Sequence, residues 1–449
     1  MNTKKVTTPV CDFVSDYKES GFSRFHMPGH KGESIVGCEG LDITEICGAD
    51  VLYSADGIIA ESEENATKLF GTAHTFYSTE GSSLAIKGML ALATNGKKGK
   101  KTVLAARNAH KAFVYGCALL DLDVSWLYPK NGGDLCSCPI NAEDVKEALE
   151  KLPDKPCAVY LTSPDYLGNI ADISGISKVC DSFDVPLLVD NAHGAYLKFL
   201  KEDIHPITLG ADMCCDSAHK TLPVLTGGAY LHVSKKRAEK FVPSARDMLS
   251  VFASTSPSYL ILQSLDKCNG FLSENVSEKF EKTAAQLEKV KELLRSKGFV
   301  LSGNEALKLV IATKASGYFS SELEDVLYKN GIVPEFSDAD HLVLMAAIHN
   351  SRQDFCRLEK AFSGLSAKEP ILCEKMTPQA CEQAMSVREA IFSPRRKVSV
   401  EAALGRVCGC PTVSCPPAIP IVISGERIDK NAIELFRKYG ISEVEVVDE

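Results

Sequence analysis

The sequence predicts an α/β protein, with a large domain built on a mainly parallel sheet and a smaller α+β domain after it. Three observations predict this. Short apolar runs rich in strand-forming residues alternate with helical patterns through the middle of the chain. Those runs lack polar alternation, as strands covered on both faces do. The alternation ends near a long polar helical stretch, SEKFEKTAAQLEKVKELLRSKG, after which GFVLSG, LKLVIAT and LVLMAAI read as strands of the smaller domain.

The elements follow in order. GSS (81–83) precedes a helix, LAIKGMLALAT, closed by Asn95-Gly96. TVLAAR (102–107) is a strand, HKAFVYGCALL a helix and VSWLYP (124–129) a strand. Asn141 caps the helix AEDVKEALEKL, with Asp144 in its first turn. CAVYLT (157–162), VPLLVD (185–190), ADMCCDS (211–217) and GGAYLHVS (227–234) are further strands. At 449 residues the chain suits two or three domains. The division expected is an N-terminal segment over 1–75, the large domain over 76–300 and the C-terminal small domain or domains over 301–449. From about residue 370 the chain turns rich in Cys and Pro, as a separate subdomain would.

Composition narrows the function classes. Hydrophobic residues make up 45% and charged residues 24%, enough to bury a large core. A net charge of -9 argues against nucleic-acid binding, which needs a basic face. No apolar run is long enough for a membrane-spanning helix, and MNTKKVTTPVCDF has no apolar core for a signal peptide. The 17 cysteines, an odd number, read as reduced thiols of a cytoplasmic protein. Cys408-Gly-Cys410 with Cys415, and Cys136-Ser-Cys138, offer thiols of the kind soft metals bind, but structural zinc uses C-x₂₋₄-C pairs in matched sets, so no metal site is expected.

Three motifs fit one cofactor. Thr79-Glu80-Gly81-Ser82-Ser83 precedes a helix, where backbone N–H groups, hydroxyls and a permissive glycine can cradle a phosphate; a plain helix cap is the alternative. Asp190 ends the apolar strand of LLVDNAHGAY, where open α/β sheets bind ligands. Its carboxylate could pair with the protonated pyridine nitrogen of pyridoxal phosphate (PLP), or it could cap a helix or form a salt bridge. His193, three residues on, could pack beside the ring or serve structure alone. Lys220, in Ser217-Ala218-His219-Lys220 at the end of a later strand, could form an imine with an aldehyde, although an isolated lysine is usually just solvated. Ser217 adds a further phosphate donor. The order of cradle, strand-end Asp and strand-end Lys is what joins them.

With these residues in place, the chain resembles the Orn/Lys/Arg decarboxylases of fold-type I, in the short form without an N-terminal response-regulator-like domain. FHMPGHK (25–31), DITEICGADVLYSADGIIAESEENATKLFGTAHTFYSTEGSS, RNAHKA, PDYLGN, LLVDNAHGAY, DSAHKTLP, STSPSYLILQSLD and CPPAIPIVISGERI carry the resemblance, most strongly over residues 20–270. It implies PLP as a Schiff base on Lys220, Asp190 on the pyridine nitrogen, and His110 stacked on the ring. His193 would contact the cofactor and His219 support the lysine, while Gly81, Ser82, Ser83 and Ser217 would bind the phosphate. Thr255 and Ser256 would reach a neighbouring subunit's site, which implies a homodimer or larger assembly. His26 and His30 would lie near the substrate entrance. Glu426 would receive the basic tail of the substrate, its alternative being an exposed surface residue.

Three positions depart from the family pattern: Glu80 sits beside the phosphate loop, Ala418 follows Pro416-Pro417, and Ser424 precedes Gly425-Glu426. A carboxylate at position 80 is tolerable there only if it points away. The resemblance implies decarboxylation of a basic amino acid, arginine before lysine or ornithine, feeding polyamine synthesis. The alternatives are another fold-type I reaction, an aminotransferase or β-lyase, or a non-catalytic regulator that kept the fold.

Overall fold

The computed structural model describes residues 6–130, 132–372, 376–411 and 418–448. Seven strands alternate with helices through the first half: β1 (His74–Ser78), β2 (Thr102–Ala106), β3 (Asp123–Leu127), β4 (Ala158–Thr162), β5 (Leu187–Asp190), β6 (Met213–Asp216) and β7 (Ala229–Val233). The chain forms two compact units, each from two stretches: Met1–Gly96 with Pro186–Glu278, and Lys97–Val185 with Lys279–Glu449.

The first unit carries β1, β7, β6 and β5 side by side in that order. β5 and β6 are parallel, with Asp190 opposite Cys215. β7 runs antiparallel to both β6 and β1, and sets His232 opposite Thr75. Every residue of β5, β6 and β7 is buried, which is why these segments read as unbroken apolar runs. Burying Leu187, Leu188 or Val189 completely contributes about 1.5–3 kcal/mol each. β1 is absent from the sequence reading because HTFYS has no such run; Thr75 and Tyr77 are buried with their hydroxyls against other polar groups instead. The helix after it starts at Gly81, not Leu84, so the Gly-Ser-Ser sequence forms its first turn.

A buried polar cluster ties the helix Ile58–Phe70 to the helix Tyr259–Leu272. Asp266 accepts the Ser62 hydroxyl at 2.6 Å and the Cys11 backbone N–H at 2.9 Å, while Asn269 donates to the Tyr77 hydroxyl at 2.7 Å. Burial pushes the Asp266 carboxyl up to about 6, against the bonds from Ser62 and Cys11. A folded-state value raised above the ordinary 3.8 makes the ionised form unfavourable in the fold. That penalty, about 3 kcal/mol at pH 7, is relieved as pH falls through 6 towards 4. The expected result is that the stability of wild type relative to Asp266→Asn rises between pH 7 and pH 5, measured by thermal unfolding; parallel profiles would contradict it.

The second unit carries β4, β2 and β3 in that order, all parallel. The helix Ala142–Lys151 has the expected cap, with Asn141 and Asp144 exchanging side-chain-to-backbone bonds at 3.0 Å. An antiparallel sheet of β8 (Leu301–Ser302), β9 (Lys308–Ala312), β10 (Phe336–Ser337) and β11 (His341–Met345) runs in the order β10-β11-β9-β8. It packs Leu309, Ile311, Leu342 and Leu344 with Leu287, Val290 and Leu294 of the helix Ser277–Ser296. Near the C-terminus, β12 (Arg395–Ser399) pairs with β13 (Glu443–Val447).

Two cysteines of the Cys-x-Cys pairs donate to backbone oxygens. Cys138 Sγ lies 3.5 Å from the Leu127 carbonyl and Cys408 Sγ 3.2 Å from that of Cys410. Burial pushes the Cys138 thiol up to about 11, which disfavours the thiolate. Cys415, Pro416 and Pro417 lie outside the described residues. No helix among the described residues is long and apolar enough to cross a membrane.

Candidate active site

The first unit brings the strand-end residues together. Asp190 is the last residue of β5 and is 2% exposed. Its Oδ1 accepts the Ala192 backbone N–H at 3.2 Å and faces the Cys215 thiol at 3.5 Å. Burial and then the Asp190 carboxylate push that thiol well above its ordinary range, so it stays protonated and donates. Lys220 lies in the short helix Ala218–Thr221 that follows β6. Its Nζ is 3.1 Å from Nε2 of His193, which is itself buried.

His219, next to Lys220 in this helix, is tied to the turn before β7. Its Nδ1 donates to the Gly228 carbonyl at 3.0 Å, and burial lowers the affinity of the ring for a second proton. Ser217, the buried residue before the helix, donates to Ser82 Oγ at 2.8 Å. These two hydroxyls meet at the first turn of the helix Gly81–Thr94, with Ser83 next in that turn.

Glu80 precedes this helix and makes no side-chain cap bond. Its carboxylate accepts the Ser254 backbone N–H at 2.7 Å, so it is turned to the 254 loop. Gly81 has φ +69 and already donates its N–H to the Gly227 carbonyl at 2.7 Å. It contributes backbone conformation and room, since a Cβ there would meet nothing within 4 Å. Two hydroxyls, a helix start without a side-chain cap and adjacent open space fit a phosphate group. A buried carboxylate at one strand end and an amine at the next fit the ring nitrogen and aldehyde of PLP.

The remaining expected residues make the following contacts. Thr255 and Ser256 are exposed in the loop before the helix Tyr259–Leu272. His30 accepts the Gly32 N–H through Nδ1 and lies 3.3 Å from Asp42 through Nε2. His26 bonds to the Tyr17 hydroxyl and to the Met27 carbonyl. In the second unit, His110 caps the helix Lys111–Leu120, its Nδ1 accepting the Ala112 N–H at 3.1 Å, which places the ring proton on Nε2. Glu426 is 2% exposed, so it is no surface residue. It accepts the Ile423 N–H at 2.8 Å, and burial raises its carboxyl while Arg107 opposes the rise.

Sequence reading missed Cys215, Asn191, Asp216, His205 and His232, all of which lie at or next to this site's strands. The available signal was a polar residue inside or ending an otherwise apolar strand, as in AYLHV and MCCD.

The model of the Orn/Lys/Arg decarboxylase major domain matches residues 8–315. An arginine decarboxylase of Bacillus subtilis (strain 168) is 28% identical over 465 residues, covering 96% of this chain and 93% of its own. One from Halalkalibacterium halodurans is 29% identical over 469 residues, covering 97% and 94%. Among solved structures, the constitutive lysine decarboxylase of E. coli superposes with a TM-score of 0.77 at 18% identity, covering 99% of this chain and 82% of that one. That likeness bears on the fold alone. The family match spans most of the chain, including both Asp190 and Lys220, and the chain belongs to the Orn/Lys/Arg decarboxylase family of PLP-dependent amino-acid decarboxylases.

Proposed function

We propose that this enzyme decarboxylates arginine in preference to lysine and ornithine, releasing agmatine as a polyamine precursor. The observation that carries the substrate choice is the match to arginine decarboxylases over nearly the whole of both chains. In the reaction the bond from Cα to the carboxylate breaks, carbon dioxide leaves and a proton takes its place on Cα. Bound PLP supplies the electron sink for the pair left behind.

The chain's own residues would divide the work. Lys220 would hold the cofactor and, beside His193, keep or give a proton at Nζ. Asp190 would hold a proton on the pyridine nitrogen. Ser82, Ser83 and Ser217 would hold the phosphate, so that the ring is fixed while the substrate changes. A homodimer is part of this proposal. Phe22, Phe25, Met27, Ile35 and Val36 are exposed near the N-terminus, Phe25 by 97%, which suits burial against a second copy.

The test is to incubate the purified protein with PLP and, separately, arginine, lysine and ornithine, then identify the amine and measure carbon dioxide. Agmatine formed fastest is the expected result. A faster diamine from lysine or ornithine would overturn the substrate choice, and keto-acid formation without carbon dioxide would overturn the reaction. Sedimentation at micromolar concentration is expected to give a dimer or larger; a monomer would remove that part of the proposal.

A further inference from the structure

Beneath the strand ends, a set of buried polar side chains crosses the first unit from β1 to β5. Thr72 and Thr75 hydroxyls lie 2.9 Å apart, and Thr75 Oγ1 lies 2.9 Å from His232 Nδ1 on β7. His232 Nε2 is 3.1 Å from Asp216 Oδ2 at the end of β6. His205 Nε2, from the segment before β6, reaches the same oxygen at 3.1 Å. Asp216 Oδ1 accepts Asn191 Nδ2 at 2.7 Å, and Asn191 directly follows Asp190. Asn191, His205, Asp216 and His232 are all fully buried.

The hydrogen-bond roles fix the charge. His205 Nδ1 accepts the Ile207 backbone N–H at 3.4 Å, so its ring proton sits on Nε2 and is donated to Asp216. The same assignment for His232 lets the Thr75 hydroxyl donate to Nδ1. Two imidazoles and an aspartate do converge here as ligands could on a metal ion. Ligation would need both Nε2 atoms bare, whereas the Ile207 bond keeps one of them protonated. Burial works to raise the Asp216 carboxyl, yet the two imidazoles outweigh it and hold it low. Burial keeps His232 from taking a second proton. The array therefore carries one buried negative charge.

We propose that Asp216 is a positioning residue for the cofactor: through Asn191 it fixes the strand end that carries Asp190, and its charge adds to that of Asp190. This rests on the reading that Lys220 and Asp190 hold PLP. Asp216 is flanked by Cys215, which faces Asp190, and by Ser217, which faces Ser82. The groups around it are His205, His232, Asn191 and the Cys214 thiol at 3.5 Å; Asp216 acts through charge on Tyr230, while Lys198 acts so on His232 and Asp190 on Cys214.

The experiment titrates the holoenzyme through the visible band of bound PLP, at about 420 nm. Asp216→Asn is expected to move the pH at which that band is lost downward by about 1 unit, the size expected of a nearby charge at a moderate effective dielectric. Asn191→Ala cuts the link but leaves the charge; it is expected to weaken PLP retention about tenfold with little change in that pH, since one hydrogen bond to a charged group is lost. Equilibrium dialysis reads retention, and thermal unfolding of the cofactor-free proteins reads any purely structural effect. If Lys220→Ala keeps the band, the cofactor reading fails. If Lys220→Ala loses it while both Asp216→Asn and Asn191→Ala match wild type, only the positioning role fails. One equivalent of zinc in the purified holoenzyme would overturn the hydrogen-bond assignment, and should Asp216→Asn not fold, Asn191→Ala still decides the link.

Discussion

Lys220→Ala is expected to purify without the band at about 420 nm and to turn over basic amino acids slower by roughly a thousandfold or more. Two effects combine in that loss. The substitution removes the amine that would hold the cofactor and that, 3.1 Å from His193, would carry the proton. The fold should survive, because Lys220 is only partly buried and sits in a single helical turn whose buried members, Ala218 and Thr221, keep their packing. A stability change under about 1 kcal/mol in the cofactor-free protein is expected for such a site. Absorbance of the purified variant and carbon dioxide release measure the two losses. Turnover within tenfold of wild type would show that another amine does the work.

How much of this was legible in the sequence differs between the backbone and the side chains. β5, β6 and β7 were legible because strands buried on both faces must be apolar throughout, and LLVD, MCCD and AYLHV nearly are. β1 was not, because HTFYS trades apolar burial for bonds such as Thr75 to His232, which depend on a partner 157 residues away. The helix start at Gly81 was not legible either, since Gly-Ser-Ser resembles a loop until the Gly227 carbonyl fixes its first N–H.

The site shows the same division. Asp190 ends one strand and Lys220 lies in the turn of helix after the next, strands that periodicity can locate, and a motif order links them. The side chains that brace them are set by contacts between strands, and no spacing in the sequence announces those. Cys215 is found only when β5 and β6 are paired, which puts it opposite Asp190. Glu80 reads as a misfit beside a phosphate until its bond to Ser254 shows where the carboxylate goes.

Asp190→Asn should separate chemistry from cofactor binding. The amide is nearly the same size, and at a position 2% exposed it should keep the packing of the β5 end. Lys220 is untouched, so the band at about 420 nm should persist. What is lost is a full negative charge in a dry site, where charge acts far more strongly than in water. Without it the ring nitrogen would no longer be held protonated, and the pair left by carbon dioxide would have a poorer sink. A fall in kcat of about a thousandfold with KM changed only a few-fold is the expected result, as for an interaction made chiefly in the transition state. Steady-state rates on arginine give both numbers. If kcat fell less than about threefold, Asp190 would be bracing Ala192 and Cys215 rather than acting on the cofactor, because those two contacts to Oδ1 can survive the change while the charge cannot.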